Sequence, residues 1–203
     1  PGWAEFTVTP SPATSVATAL VLYSLFVAAF VMLGAKLGKM FGERLVFQIS
    51  VLAHGGAMAL MAVSASAETM NTAQAIAGIA AAALVPTLVV LIAANYRQRQ
   101  QEQALGILAA IPAVASGLTF VVAGFIATLL SWRVSFGLIF ALSLAVFVFS
   151  FRLKPIPRSQ GIRIDFVGVV LSALAIACIL FGFNNLNSWG LVAAKEAAPI
   201  SLF

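Results

Sequence analysis

The sequence contains few charged residues. They make up 8% of its 203 residues, whereas soluble globular domains carry about 25%. The chain is 62% hydrophobic with a mean hydropathy of +1.08, which is more apolar surface than a soluble fold of this size could remove from water. This scarcity of charge excludes a soluble domain and a disordered chain, and the single cysteine, Cys178, excludes a disulfide scaffold.

Reactive side chains are equally scarce. There is one histidine and one cysteine, and no Asp or Glu lies in the middle of an apolar stretch. Such a set cannot assemble a zinc site or a pair of nucleophile and base. We therefore expect no enzyme activity, no metal and no cofactor, and we interpret Cys178 as inert packing.

Long uncharged stretches are what the sequence does contain. Six of them, 18 to 30 residues long, lie between the charged residues, at 14–35, 45–67, 69–96, 103–132, 134–151 and 166–194. A helix of about 20 residues crosses a hydrocarbon core about 30 Å thick. The predicted fold class is therefore an all-α integral membrane protein with six transmembrane helices.

The basic residues are distributed unevenly over the connections between these stretches. Nine of the eleven Lys and Arg residues fall on the first, third and fifth connections, whereas Arg133 and Lys195 fall elsewhere. Connections rich in Lys and Arg remain cytoplasmic. We therefore predict both chain ends on the outer side of a bacterial inner membrane or another energy-transducing membrane. The net charge of +5 then reflects topology and a lipid bilayer as partner, and not nucleic acid.

Few polar side chains within the stretches could serve transport. His54 is the one titratable candidate in the second stretch, and it could carry a proton or simply hydrogen-bond a neighbouring helix. Asn184 and Asn185, late in the sixth stretch, could bind a polar substrate. They could equally mark an outer interface anchored by Trp189.

Small residues recur at helical spacing. Such faces let helix backbones approach closely in lipid, so they predict a tightly packed bundle. The series are Gly34, Gly38 and Gly42; Ala73, Ala77 and Ala81 with Gly78 adjacent; and Gly117 with Gly124.

Several segments resemble motifs of one family. AKLGKMFGERLVF at Ala35–Phe47 resembles the signature loop G-x-L-x-D-R-x-G-R-[RK] of the major facilitator superfamily. Segments 74–86, 97–106, 131–136 and 163–174 are similar, in order, to motifs of its 14-helix drug:proton antiporters. The resemblance implies a major-facilitator-type helix bundle whose transport-motif positions are Gly38, Lys39, Gly42, Arg44, Gln74, Gly78, Gly124, Trp132, Arg133 and Asp165.

The resemblance also implies a register and a function. The chain aligns with family helices two to seven, so we expect part of an exporter that moves small amphipathic molecules by alternating access. The corresponding division is an outer tail at 1–12, a five-helix bundle lacking a first helix at 13–151, a basic cytoplasmic connection at 152–165 and a further transmembrane segment at 166–203.

The chain departs from the family motifs at three places. Lys39 stands where the family loop has Asp, with Met40 and Glu43 at its next two basic positions. Gln74 stands where the fourth family helix has Arg, and TFVVAG at Thr119–Gly124 lacks the Gly-Pro pair of the antiporter segment. These departures favour an alternative, a non-transporting accessory subunit of a larger membrane complex, such as a respiratory or photosynthetic one. A third hypothesis is a transporter with altered coupling, which uses His54 or facilitated diffusion.

Overall fold

The computed structural model describes residues 12–129, 131–157 and 165–184, and the regular structure in these ranges is helical. The six helices are α1 Pro12–Phe41, α2 Glu43–Val63, α3 Ala67–Asn95, α4 Arg99–Leu129, α5 Trp132–Ser150 and α6 Phe166–Asn184. The all-α prediction is confirmed. Helices α1 to α5 are long and apolar enough to cross a membrane, whereas the described apolar part of α6, Val167–Ile179, is shorter. The predicted remainder of the sixth span, 185–194, lies outside the described residues.

Helix α1 is longer than the sequence predicted. The expected connection after residue 35 is helical as far as Phe41, so that Gly42 alone separates α1 from α2. Basic side chains are favourable in the last turns of a helix because its C-terminus is partially negative, and the long stem of a lysine can reach the membrane surface. Lys36 and Lys39 therefore lie within the last turns of α1 and do not end the helix.

Helices α1 and α3 are in backbone contact at two levels. A Cβ atom added to Gly34 of α1 would lie 2.7 Å from the carbonyl oxygen of Ala82 on α3. A Cβ added to Gly78 of α3 would lie 2.6 Å from the carbonyl oxygen of Tyr23 on α1. The small-residue faces predicted for these two helices are thus confirmed at Gly34 and Gly78.

Helices α2 and α5 are joined at both ends by arginine side chains. Arg44, in the first turn of α2, donates from Nη2 to the carbonyl oxygen of Phe151, 3.0 Å away, just after α5. Arg133, in the first turn of α5, donates from Nη2 to the carbonyl oxygen of Ser64, 2.6 Å away, just after α2. We call the end with Arg44 the basic end and the end with Arg133 the opposite end.

Helix α4 packs least closely of the five long helices. None of its described side chains is buried, and a Cβ added to Gly106, Gly117 or Gly124 would meet nothing within 4 Å. The close packing expected at Gly117 and Gly124 therefore has no partner within the described part of the chain. The buried core of the described bundle is formed by α1, α2, α3 and α5.

Candidate functional site

An open pocket lies between helix ends at the opposite end of the bundle. Its volume is about 630 Å³. The start of α1, the α2–α3 connection, the first turns of α3 and the start of α5 supply its walls. We call it the Gln74 pocket, and its lining residues are Val16, Ala19, Leu20, Met61, Ser64, Ala65, Ser66, Ala67, Met70, Gln74, Trp132, Arg133 and Phe136.

Gln74 and Ser64 are the buried polar residues that line this pocket, and Gln74 has the longer side chain. Gln74 is 8% exposed because it lies two turns inside α3, on the face that carries Ala67 and Met70 into the same pocket. An amide offers two donors and one acceptor with two lone pairs. In mainly apolar walls, such a group can orient a bound molecule through hydrogen bonds.

Arg133 is the charged residue that lines the Gln74 pocket. Ser131 starts α5 by accepting a hydrogen bond from the backbone N–H of Arg133 at 3.3 Å. The guanidinium is held by its bond to the carbonyl oxygen of Ser64 and lies 4.6 Å from the ring centroid of Trp132. Trp132 in turn meets Phe136 edge to face, with ring centroids 5.9 Å apart. The positive charge is thus fixed beside aromatic walls.

His54 lies in a different pocket. That pocket, of about 320 Å³ between α2, α3 and α5, has His54 and Ser143 as its polar lining residues. On α5, Phe140 lies one turn from Phe136, and both pack against a buried cluster that includes Met58. The structure therefore does not bring His54 and Gln74 together.

The loop-motif residues meet at the basic end. Gly42 adopts φ 100°, a left-handed conformation that glycine tolerates best, and this allows α2 to begin directly after α1. Glu43 follows and is 4% exposed, with its carboxylate against Gly38, whereas Lys39 is exposed. Sequence reasoning missed the burial of Glu43, because a charged residue beside a basic loop gives no signal of it.

The remaining motif residues are spread over the fold. Asp165 begins α6, where its Oδ1 accepts a hydrogen bond from the backbone N–H of Gly168 at 2.9 Å, which is a capping role. Gly78 lies at the α1–α3 contact, and Gly124 faces open space. Of the predicted asparagines, Asn184 ends α6. Its side chain and the whole of Asn185 lie outside the described part of the chain.

Metal-ligating side chains are dispersed. Within residues 12–129, 131–157 and 165–184, no group of three or more His, Cys, Asp or Glu side chains could hold a metal ion. The Gln74 pocket has a mainly apolar lining with few polar groups, which suits binding through apolar contacts and hydrogen bonds.

A comparison of the sequence with protein families gives one match that covers most of the chain. The model of the Major Facilitator Superfamily matches residues 4–189. The chain belongs to the major facilitator superfamily. Membership makes it an integral membrane protein of a transporter family, as the motifs had led us to expect.

Similar proteins within the superfamily include drug-resistance exporters. The chain is 26% identical over 175 residues to the puromycin resistance protein pur8 of Streptomyces alboniger, covering 84% of this chain and 35% of that protein. It is 30% identical to the MFS-type transporter ppz2 of Metarhizium majus (strain ARSEF 297), covering 80% and 29%. With the tetracenomycin C resistance and export protein of Streptomyces glaucescens it shares 22% identity, covering 83% and 32%. The chain thus spans about a third of the length of these relatives.

Proposed function

We propose that this chain is part of an exporter that moves small amphipathic molecules across the membrane by alternating access. The observation that carries the proposal is the Gln74 pocket. Its volume of about 630 Å³ falls within the range of about 300–1,000 Å³ that is typical of small-molecule sites. Superfamily membership and the resistance and export proteins among its relatives support the same function.

The lining of the pocket supports a substrate class. Met61, Met70 and Phe136 offer apolar contacts to the apolar part of a bound molecule. Gln74 offers hydrogen bonds to a polar group of that molecule. The charged residue of the lining is Arg133, and a fixed cation repels positively charged molecules in an apolar surrounding. We therefore infer neutral or weakly acidic amphipathic substrates.

Alternating access requires a second bundle. Such transporters rock two helical bundles about a site near the membrane midplane, and this chain corresponds to about a third of the relatives it matches. We infer that residues 13–151 supply most of one bundle, aligned with family helices two to six. The segment 152–165 is then a cytoplasmic connection to residues 166–203, which align with family helix seven, and 1–12 form an outer tail.

The orientation of the bundle is part of the proposal. Among the described residues, Lys36, Lys39, Arg44, Arg97, Arg99, Arg152 and Lys154 belong to the basic end, which the positive-inside rule assigns to the cytoplasm. In a Cys178→Ala background, a membrane-impermeant maleimide added to intact cells should label Ser66→Cys but not Gln98→Cys. Labelling of Gln98→Cys but not of Ser66→Cys would show that the bundle has the opposite orientation.

Efflux measurements test the function. The complete reading frame that encodes this chain is expressed in an efflux-deficient bacterium, and retention of neutral, acidic and cationic amphipathic dyes is measured. Loss of one hydrogen bond costs about 0.5–1.5 kcal/mol, so Gln74→Ala should weaken the apparent affinity for exported dyes about 2- to 13-fold. Gln100→Ala, a change of the same type at an exposed position on α4, should leave it unchanged.

The possible results separate the parts of the proposal. Absence of efflux for all three dye classes would reject the exporter. Efflux that is unaffected by Gln74→Ala would retain the exporter but remove the Gln74 pocket as its site. Preferred export of cations would reject the inferred substrate class.

The two other hypotheses receive less support. The relatives are named as transporters or resistance proteins, so they do not favour an accessory subunit of a larger membrane complex. A coupling role for His54 stays a prediction. If it holds, His54→Ala should alter the dependence of efflux on the proton gradient, and an unchanged dependence would eliminate it.

A further inference from the structure

The corner between α1 and α2 brings residues from both helices into one small volume. Only Gly42 separates the helices, and its backbone N–H still donates to the carbonyl oxygen of Gly38 at 2.8 Å. Its own carbonyl oxygen accepts from the backbone N–H of Val46 at 3.1 Å. The chain therefore changes direction without unwinding. As a result, the side chain of Glu43 folds back onto the last turns of α1.

Glu43 is buried at this corner with an unsatisfied carboxylate oxygen. Its residue exposure is 4%, and a Cβ on Gly38 would overlap Oε2, so the glycine makes room for the carboxylate. Within the described part of the chain, Oε2 has no hydrogen-bond partner. Burial of a carboxylate oxygen without a donor is unfavourable. A donor is therefore expected within reach.

The basic residues near the corner differ in whether they already bind another group or are available to bind Glu43. Arg44 is engaged, because it donates to the carbonyl oxygen of Phe151 and lies over the ring of that residue. Lys39 directly follows the glycine on which the carboxylate rests. It is exposed and lies four residues before Glu43 in the chain. A lysine carries three donors on a flexible four-carbon stem, so small rotations can bring its ammonium to a neighbouring acceptor.

We propose that Lys39 and Glu43 form an ion pair that fixes the corner between α1 and α2, with the Lys39 ammonium donating to Oε2 of Glu43. The pair makes Lys39 a positioning residue. It orients α2 against α1, and through α2 it orients the Arg44 side chain toward the end of α5. The inference concerns the folded bundle and does not depend on the proposed export.

A double-mutant cycle in the intact protein, purified in detergent, tests the pair. Removing one partner of a pair that includes a buried charge is strongly destabilising, so Lys39→Met should lower the midpoint of thermal unfolding by about 4 °C or more. In a Glu43→Gln background, the same Lys39→Met change should shift the midpoint by less than about 1 °C, because no charge remains to be paired. Lys36→Met, three residues earlier, is the control and should have equal effects in both backgrounds.

Exchanging the charges of Lys39 and Glu43 gives a second test. If the two side chains acted only through their shape, this exchange would not restore stability. Glu43→Lys should lower the midpoint of thermal unfolding. Adding Lys39→Glu to Glu43→Lys should restore at least half of that decrease. Lys36→Glu combined with Glu43→Lys should recover nothing. Equal effects of Lys39→Met in both backgrounds would overturn the pair. Rescue by Lys36→Glu as complete as that by Lys39→Glu would overturn it as well.

Discussion

Replacement of Gly34 by alanine should separate α1 from α3. The new Cβ would lie 2.7 Å from the carbonyl oxygen of Ala82 and 2.7 Å from the Cα of Ala83, whereas ordinary contacts begin near 3.4 Å. Both atoms belong to the backbone, so no side chain can rotate away. The helices must move apart by about 0.7 Å at this level.

The size of the effect follows from this displacement. Overpacking of a well-packed core costs about 1–3 kcal/mol, and 1 kcal/mol lowers the unfolding midpoint of a unit of 150–250 residues by about 2–4 °C. Gly34→Ala should therefore unfold about 2–12 °C below a variant with the same Gly→Ala change at an uncrowded helix position. The assay heats the detergent-solubilised protein, fused to a fluorescent reporter, and measures the fraction that remains monodisperse by size-exclusion chromatography.

Gly56→Ala is the matched control. Gly56 lies within α2, and a Cβ there would meet nothing within 4 Å. Alanine is favoured over glycine in a helix by about 1 kcal/mol, so this variant should be as stable as the parent or slightly more so. If Gly34→Ala unfolds at the same temperature as Gly56→Ala, the helices are not in backbone contact at Gly34 and the reasoning is refuted.

Three further predictions concern the α2–α5 contact and helix α6. Arg133→Gln should cost about 1.5–3 kcal/mol, because the bond to the carbonyl oxygen of Ser64 is charge-assisted; a midpoint unchanged in the same heating assay would contradict it. Ser150→Ala should cost about 0.6 kcal/mol more in the parent than in the Gln48→Leu background, because it removes the acceptor that lies 3.0 Å from Nε2 of Gln48, whereas the bond from Ser150 Oγ to the carbonyl oxygen of Phe147 is lost in both. Cys178 is exposed on α6 and not packed as the sequence predicted; maleimides react through a thiolate, which does not form in hydrocarbon, so in membranes neither a lipophilic nor a charged maleimide should label it, and labelling by both would place it in water.

Composition and hydropathy predicted the fold class because a bilayer imposes a length on every helix that crosses it. The same reasoning located α2, α3 and α5 closely. It ended α1 too early, because it used charge as a boundary, although Lys36 and Lys39 can remain helical at the membrane rim.

Small residues predicted contacts only where a partner helix is present. Gly34 and Gly78 lie in the α1–α3 contact, whereas Gly117 and Gly124 on α4 have the same kind of spacing and face open space. The spacing of small residues indicates that a helix backbone can be approached closely. It does not identify the helix that packs there.

The candidate site was predictable only in part. Gln74, Trp132 and Arg133 were expected at motif positions, but they lie on different helices, and their convergence on one pocket depends on how α3 and α5 pack. Glu43 was recorded only as a departure from a motif. Its burial depends on the absence of a side chain at Gly38, which no property of Glu43 itself indicates.

The arginine contacts at the two ends of α2 and α5 form a reciprocal arrangement. Each antiparallel helix carries an arginine in its first turn that binds the carbonyl terminus of the other, where the helix dipole attracts a cation. A slide of one helix along the other would strain both bonds, and so both would oppose translation in either direction. If the bundle changes conformation during a transport cycle, α2 and α5 should therefore tilt together as one rigid body. The shear would then occur at less constrained contacts, such as those of α4.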